Sequence, residues 1–125
     1  MVSLSAEIRD VIKQHSPNTE IRHFAAMAAG EQGGVDMALM QSGDAVLTGY
    51  AATPADVPGR VTSLSDLDLP RWGMIRALQP EVTDPAQIAP LVDAWRAQGV
   101  AGIDVYNYGL MPERTFRALG EALNR

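Results

Sequence analysis

Two carboxylates near predicted strands are the side chains of this chain best suited to acid–base chemistry. Glu81 follows an apolar run over 71–78, and Asp104 lies within a second run over 100–108. Hydrolysis of a glycosidic bond commonly needs two carboxylates that flank the bond, one as acid and the other as base or nucleophile. Glu81 and Asp104 are therefore the candidate catalytic residues. Alternatively, Glu81 is a solvated carboxylate in a loop, and Asp104 forms a structural ion pair.

Side chains suited to sugar recognition stand near the ends of the same runs. Tyr106, Asn107 and Tyr108 close the run over 100–108. Aromatic faces cover the apolar side of a sugar ring, and an amide makes paired hydrogen bonds. Tyr50 lies near the end of an earlier run, and Arg76 lies within 71–78. We expect these five residues to bind substrate. Alternatively, one of the tyrosines is part of the hydrophobic core.

The elements that must position these residues alternate between helix and strand. Strands separated by crossover helices are parallel, and the crossovers are right-handed. The pattern therefore predicts one α/β domain over 1–125, built of about four βα units with parallel strands. The proline-rich segment 53–71 predicts a loop with at most one short turn, at 63–67. Periodicity predicts helices over 3–15, 35–41, 85–98 and 112–123, and strands over 20–28, 44–52, 71–78 and 100–108.

The helix over 85–98 has the clearest signals of the chain. Asp84 stands at the N-cap position before Pro85, and Gly99 stands where a C-cap glycine belongs. The buried stripe is expected to comprise Ile88, Leu91, Val92 and Trp95.

Charged residues in the middle of predicted strands need partners, because an isolated buried charge is unstable. Arg22, Arg76 and Asp104 hold such positions. Since Arg76 and Asp104 lie on neighbouring predicted strands, we expect these two to pair.

The composition of the chain limits the kinds of molecule that it is expected to bind. The chain of 125 residues has 15 acidic and 10 basic residues, a net charge of −5 and a single lysine. Nucleic acid and anionic membranes are therefore poor partners. The absence of cysteine excludes disulfides and thiolate metal sites, and the two histidines lack metal-ligand spacing. We expect a cytoplasmic protein with no metal, no cofactor and a small-molecule ligand.

The tail of the chain resembles one family. Residues 98–112, QGVAGIDVYNYGLMP, are similar to the final strand and helix of glycoside-hydrolase-like (β/α)8-barrel proteins, in which a strand of the type GxDGxxFYNYG closes the barrel. Residues 75–80, IRALQP, resemble the preceding strand. The resemblance implies the C-terminal half of a TIM-type barrel that binds or hydrolyses carbohydrate.

The length of the chain leaves the barrel incomplete. A (β/α)8 barrel needs roughly 250 residues, so four strands do not close one alone. Three alternatives follow: a missing N-terminal half, assembly of two copies, or an open sheet. The open sheet would make the chain a non-catalytic module that self-associates through its uncovered edges.

Overall fold

The computed structural model describes residues 2–25 and 40–125. The predicted helix over 35–41 lies almost wholly outside these residues. Three short 3-10 turns, Pro54–Asp56, Pro85–Gln87 and Tyr108–Leu110, accompany the main elements. The helices and strands are α1 (Val2–His15), β1 (Arg22–Phe24), β2 (Ala45–Leu47), α2 (Val57–Thr62), β3 (Arg71–Arg76), α3 (Ile88–Ala97), β4 (Gly102–Tyr106) and α4 (Glu113–Leu123).

The four strands form one parallel sheet in the order β1-β2-β3-β4. Arg22 pairs with Ala45, and Met74 pairs with Asp104. The predicted α/β class with parallel strands is confirmed, although each strand is shorter than its apolar run. Because the strands are parallel, their carboxyl ends share one edge of the sheet. β1 and β4 are the outer strands.

One face of the sheet is covered by helices. Ile75 is fully buried there in a cluster that includes residues of α2, α3 and α4. Gly73 lets β3 approach the ring of Trp95 closely, since a Cβ at this position would lie 2.6 Å from Trp95 Cδ2. The predicted stripe of α3 is confirmed, with Ile88, Leu91, Val92 and Trp95 all at 0% exposure.

The ends of α3 follow from local chemistry. The Asp84 carboxylate accepts a hydrogen bond from the Ala86 amide at 2.9 Å, and the Asp84 amide donates to Gln87 Oε1 at 2.8 Å. This capping box satisfies amides that the helix leaves free. Residues 85–87 form a 3-10 turn, so Pro90 stands in the first turn of α3 and breaks no helical bond. Gly99, with a φ of 67°, ends the helix.

The prediction that 53–71 is a loop with at most one short turn at 63–67 was wrong. α2 occupies 57–62, and a 3-10 turn precedes it. Pro54 and Pro58 each lie within the first two positions of their helical segments. Proline is compatible with that position because its missing amide has no helical partner there.

The apolar face of α1 is solvent-exposed. Leu4, Ile8 and Val11, which we call the α1 stripe, are all exposed, Ile8 to 53%. Polar contacts instead attach α1 to the sheet near the start of β2. Ser5 Oγ lies 2.6 Å from Ser42 Oγ, and Lys13 Nζ lies 2.6 Å from Asp44 Oδ2.

Among the described residues, no helix is both long and apolar enough to cross a lipid bilayer.

Candidate functional site

The face of the sheet opposite α2, α3 and α4 carries the candidate site, and we call it the open face. Side chains alternate along a strand, so the register places one set of residues together on this face. Phe24 and Tyr106 are exposed there to 46% and 49%. The other larger side chains are partly exposed. The open face comprises Arg22, Phe24, Leu47, Trp72, Met74, Arg76, Asp104 and Tyr106.

A pocket of about 400 Å³ lies on the open face toward the carboxyl ends of the strands. Its walls are Phe24, Tyr50, Met74, Arg76 and Tyr106. β1, β3 and β4 each contribute a wall residue, as does the segment after β2. The sheet is therefore concave on this side.

An ion pair stands beside the pocket. Arg76 Nη1 donates to Glu81 Oε1 at 3.0 Å, and the Glu81 side chain is only 14% exposed. The Arg76 guanidinium lies 5.6 Å from the centre of the Tyr50 ring, within cation–π range. The predicted residues Tyr50, Arg76 and Tyr106 thus meet in one pocket, with Glu81 held next to it.

Two polar atoms of this ion pair are buried without a hydrogen-bond partner in the part of the chain that the structure describes. They are Glu81 Oε2 and Arg76 Nε. Buried polar atoms are nearly always satisfied by protein, water or ligand. The pair therefore holds one unused acceptor and one unused donor near the pocket.

Asp104 belongs to a separate charged cluster nearer the amino ends of the strands. Arg22 Nη1 donates to Asp104 Oδ1 at 3.0 Å and to Oδ2 at 2.8 Å. Arg22 Nε lies 2.8 Å from Glu20 Oε1. The guanidinium carbon is 3.7 Å from the centre of the Trp72 ring, and that ring lies against the Gly102 backbone. The two outer strands are thereby joined across the open face.

The expected Arg76–Asp104 pair was wrong, and the register explains why. Arg76 pairs in the sheet with Tyr106, whereas Asp104 pairs with Met74. Arg76 therefore lies one side-chain layer closer to the carboxyl edge than Asp104. There it meets Glu81 in the segment after β3.

The two candidate catalytic carboxylates thus lie in different clusters. Each is bound by its own arginine, and both oxygens of Asp104 are occupied by Arg22.

The remaining predicted residues lie just beyond β4. The Tyr106–Asn107 peptide bond is cis, and the Asn107 carbonyl accepts a hydrogen bond from the Leu110 amide at 3.1 Å. Asn107 is not among the pocket walls. The side chain of Tyr108 lies outside the described structure.

Sequence reasoning missed Phe24 and Met74 as pocket residues. Alternation along the strand carried the signal for Phe24, because it is two residues from Arg22 and must share its face. Met74 stands in the same relation to Arg76, but methionine in a strand is usually core filler.

Within 2–25 and 40–125, no group of three or more histidine, aspartate or glutamate side chains is arranged to hold a metal ion. A scan against protein-family models, a search of curated proteins and a search of solved structures each found no match to this chain. The geometry of the open face therefore carries the functional argument.

Proposed function

We propose that the open face is the inner wall of half a (β/α)8 barrel, and that its pocket binds a carbohydrate. The strand order follows the chain order, as it does around a TIM barrel. Doubly wound sheets instead reverse their strand order at a switch point. In a barrel wall, helices cover the outer face and side chains fill the inner one. This sheet agrees with that arrangement, because helices cover one face and polar or aromatic residues line the concave face.

The composition of the pocket is the observation that supports carbohydrate as the class of ligand. Phe24, Tyr50 and Tyr106 supply aromatic rings, and the Arg76–Glu81 pair adds charged hydrogen-bonding groups. Sugars present apolar C–H faces and a rim of hydroxyl groups. A hydroxyl donates as well as accepts, so the hydroxyl rim of a sugar suits the guanidinium donors of Arg76, which lines the pocket. The position at the carboxyl ends of the strands is where barrels bind ligands.

Binding is better supported than hydrolysis by this chain alone. Both oxygens of Asp104 are engaged by Arg22, and Asp104 lies one layer below Arg76 and Tyr106 and lines no wall of the pocket. Glu81 is the carboxylate nearest the ligand. Hydrolysis by the usual route requires a second carboxylate opposite it, which the other half of a closed barrel would have to supply.

The test is titration of ¹⁵N-labelled protein with methyl glycosides of glucose, galactose and mannose at millimolar concentrations. Amide resonances of β3, β4 and the Tyr50 segment should shift with at least one glycoside. Tyr106→Ala should weaken binding about tenfold, the upper end of what one aromatic contact contributes. Its melting temperature should stay near that of wild type, because Tyr106 is half-exposed.

Leu110→Ala is the matched control, since Leu110 is exposed close by but lines no wall of the pocket. It should leave glycoside affinity unchanged. Absence of shifts with every glycoside, or equal affinity in Tyr106→Ala, refutes the proposal.

A further inference from the structure

The Arg22–Asp104 ion pair connects the two outer strands of the sheet. Two strands, β2 and β3, lie between β1 and β4 in the sheet order. With neighbouring strands about 4.8 Å apart, a flat sheet would separate β1 from β4 by roughly 14 Å. The two side chains nevertheless meet, with Arg22 Nη1 at 3.0 and 2.8 Å from the Asp104 oxygens. The pair therefore spans the concavity of the open face, and we call it the bridge.

The bridge is supported along its length by two further contacts of Arg22. Its Nε lies 2.8 Å from Glu20 Oε1, and its guanidinium carbon lies 3.7 Å from the centre of the Trp72 ring. A guanidinium stacks on an aromatic face while its N–H groups bind carboxylates. Trp72 belongs to β3, so the guanidinium rests on the sheet itself. The geometry of the bridge, and with it the distance between β1 and β4, is therefore fixed.

The pocket lies one side-chain layer along the strands from the bridge. Phe24 follows Arg22 by two residues on β1. Tyr106 follows Asp104 by two residues on β4. Side chains two positions apart share a face, and both Phe24 and Tyr106 line the pocket. The separation of β1 and β4 at the bridge therefore sets the width between these two walls.

We propose that Arg22 and Asp104 are positioning residues of the pocket. Their bridge holds Phe24 and Tyr106 at the separation at which both rings contact one ligand. Neither bridge residue lines a wall of the pocket, so both act through the strands that carry the walls. β1 pairs with β2 over only three residues, so the bridge restrains a strand that has little backbone pairing of its own. This inference rests on the ligand-binding pocket proposed above.

Glycoside titration of two bridge variants tests the effect on binding. Arg22→Met keeps an unbranched side chain over Trp72 but removes the guanidinium, and Asp104→Leu removes both carboxylate oxygens with little change of shape. Each should weaken glycoside binding about fivefold, because a smaller fraction of the molecules holds the walls at the binding separation. A loss of about fivefold equals about 1 kcal/mol, the upper end for a partly exposed ion pair. The double variant should lose no more than either single variant, since both substitutions remove the same bridge.

Glu113→Gln is the matched control for loss of an ion pair. It removes the contact of Glu113 with Arg117 Nη2, at 2.6 Å on α4, and should leave glycoside affinity unchanged. Asp104→Asn keeps one acceptor oxygen for Arg22 and should lose less affinity than Asp104→Leu. It replaces Asp104→Leu in the comparison if circular dichroism shows that Asp104→Leu does not fold.

Fluorine NMR tests the position of a pocket wall without any ligand. The chain contains two phenylalanines, Phe24 and Phe116, so para-fluorophenylalanine gives one signal at the pocket and one on α4. Phe116→Leu assigns the two signals. Asp104→Leu changes the opposite outer strand, yet it should shift or broaden the Phe24 resonance, because β1 is no longer joined to β4. The Phe116 resonance should stay in place as the internal reference.

Folded Arg22→Met and Asp104→Leu proteins that bind the glycoside as tightly as wild type overturn the inference. So do losses that multiply in the double variant, or a Phe24 resonance that Asp104→Leu leaves unmoved. If the wild-type protein binds no glycoside, the proposed ligand fails, and the Phe24 resonance alone then decides whether the bridge positions the wall.

Discussion

Gly73→Ala tests the close packing of β3 against α3 on the covered face. A Cβ at residue 73 would lie 2.6, 2.8 and 2.9 Å from three ring atoms of Trp95. Ordinary contacts between carbon atoms are about 3.5–4.0 Å. Trp95 is fully buried among Ile88, Leu91 and Val92, so its ring has no free space into which to move.

The expected magnitude is the difference between two opposing effects. Extra carbon atoms in a packed core destabilise by about 1–3 kcal/mol. Replacing glycine in a strand recovers about 0.5–1 kcal/mol through lower chain entropy. The difference between these ranges is about 0–2.5 kcal/mol. Because three contacts fall below 3 Å, we expect a net loss in the free energy of unfolding of about 1–2 kcal/mol. With an unfolding entropy of about 2.1 cal/mol/K per residue over the whole chain, the melting temperature should fall by roughly 4–8 °C.

The assay is thermal and urea unfolding followed by far-ultraviolet circular dichroism. All variants are compared at one protein concentration, because association shifts apparent stability. Gly59→Ala is the matched control: its added Cβ meets nothing within 4 Å, and Gly59 lies within α2. That variant should be unchanged or more stable by up to about 1 kcal/mol.

A double-mutant cycle with Trp95→Phe assigns the effect to the ring. The smaller ring leaves room for the methyl group, so the penalty of Gly73→Ala should shrink in the Trp95→Phe background. Equal or higher stability of Gly73→Ala in the wild-type background would refute the packing described for β3 and α3. An undiminished penalty beside Trp95→Phe would refute Trp95 as its cause.

Two further predictions concern charges. The hydrogen bond from Lys13 lowers the pKa of Asp44 below its usual value of 3.8, with a further contribution from the Ile21 amide. The resulting contribution to the free energy of unfolding is present above about pH 4 and is lost as the pH falls through the lowered pKa. Below pH 4 the free energy of unfolding of Asp44→Asn should therefore fall less steeply than that of wild type. An identical pH dependence of the two proteins below pH 4 would contradict this prediction. Arg76→Met should lower the free energy of unfolding by about 1–3 kcal/mol, because it leaves the Glu81 carboxylate unpaired. In urea unfolding, the double variant Arg76→Met/Glu81→Gln should recover part of that loss. Additive losses from the two substitutions would argue against the ion pair.

The elements predicted correctly from sequence are those decided by local chemistry. The stripe of α3, its capping by Asp84 and its end at Gly99 depend on residues within one or two turns of each other. The parallel sheet follows equally from the alternation of helices and strands, because a crossover helix forces parallel pairing. α2 was missed because prolines in a first helical turn resemble those of a loop.

The charge pairs were decided by tertiary structure alone. The sheet register sets which side chains share a layer, and it separates Arg76 from Asp104 by one layer. The segment after β3 brings Glu81 to Arg76, and the Arg22 side chain reaches Asp104 across the open face. Register depends on pairing between residues as far apart as 72 and 102, and the Arg22–Asp104 pair joins residues 82 positions apart, which no local pattern encodes.

The same distinction between local sequence pattern and tertiary structure applies to the apolar face of α1 and to the pocket. The periodicity that predicts a helix over 3–15 also places Leu4, Ile8 and Val11 on one face of it, but it cannot tell whether another surface covers that face. Alternation similarly implies that Phe24 shares a face with Arg22. Only the curvature of the sheet, set by how four strands pack on their helices, brings Phe24 and Tyr106 from opposite edges into one pocket.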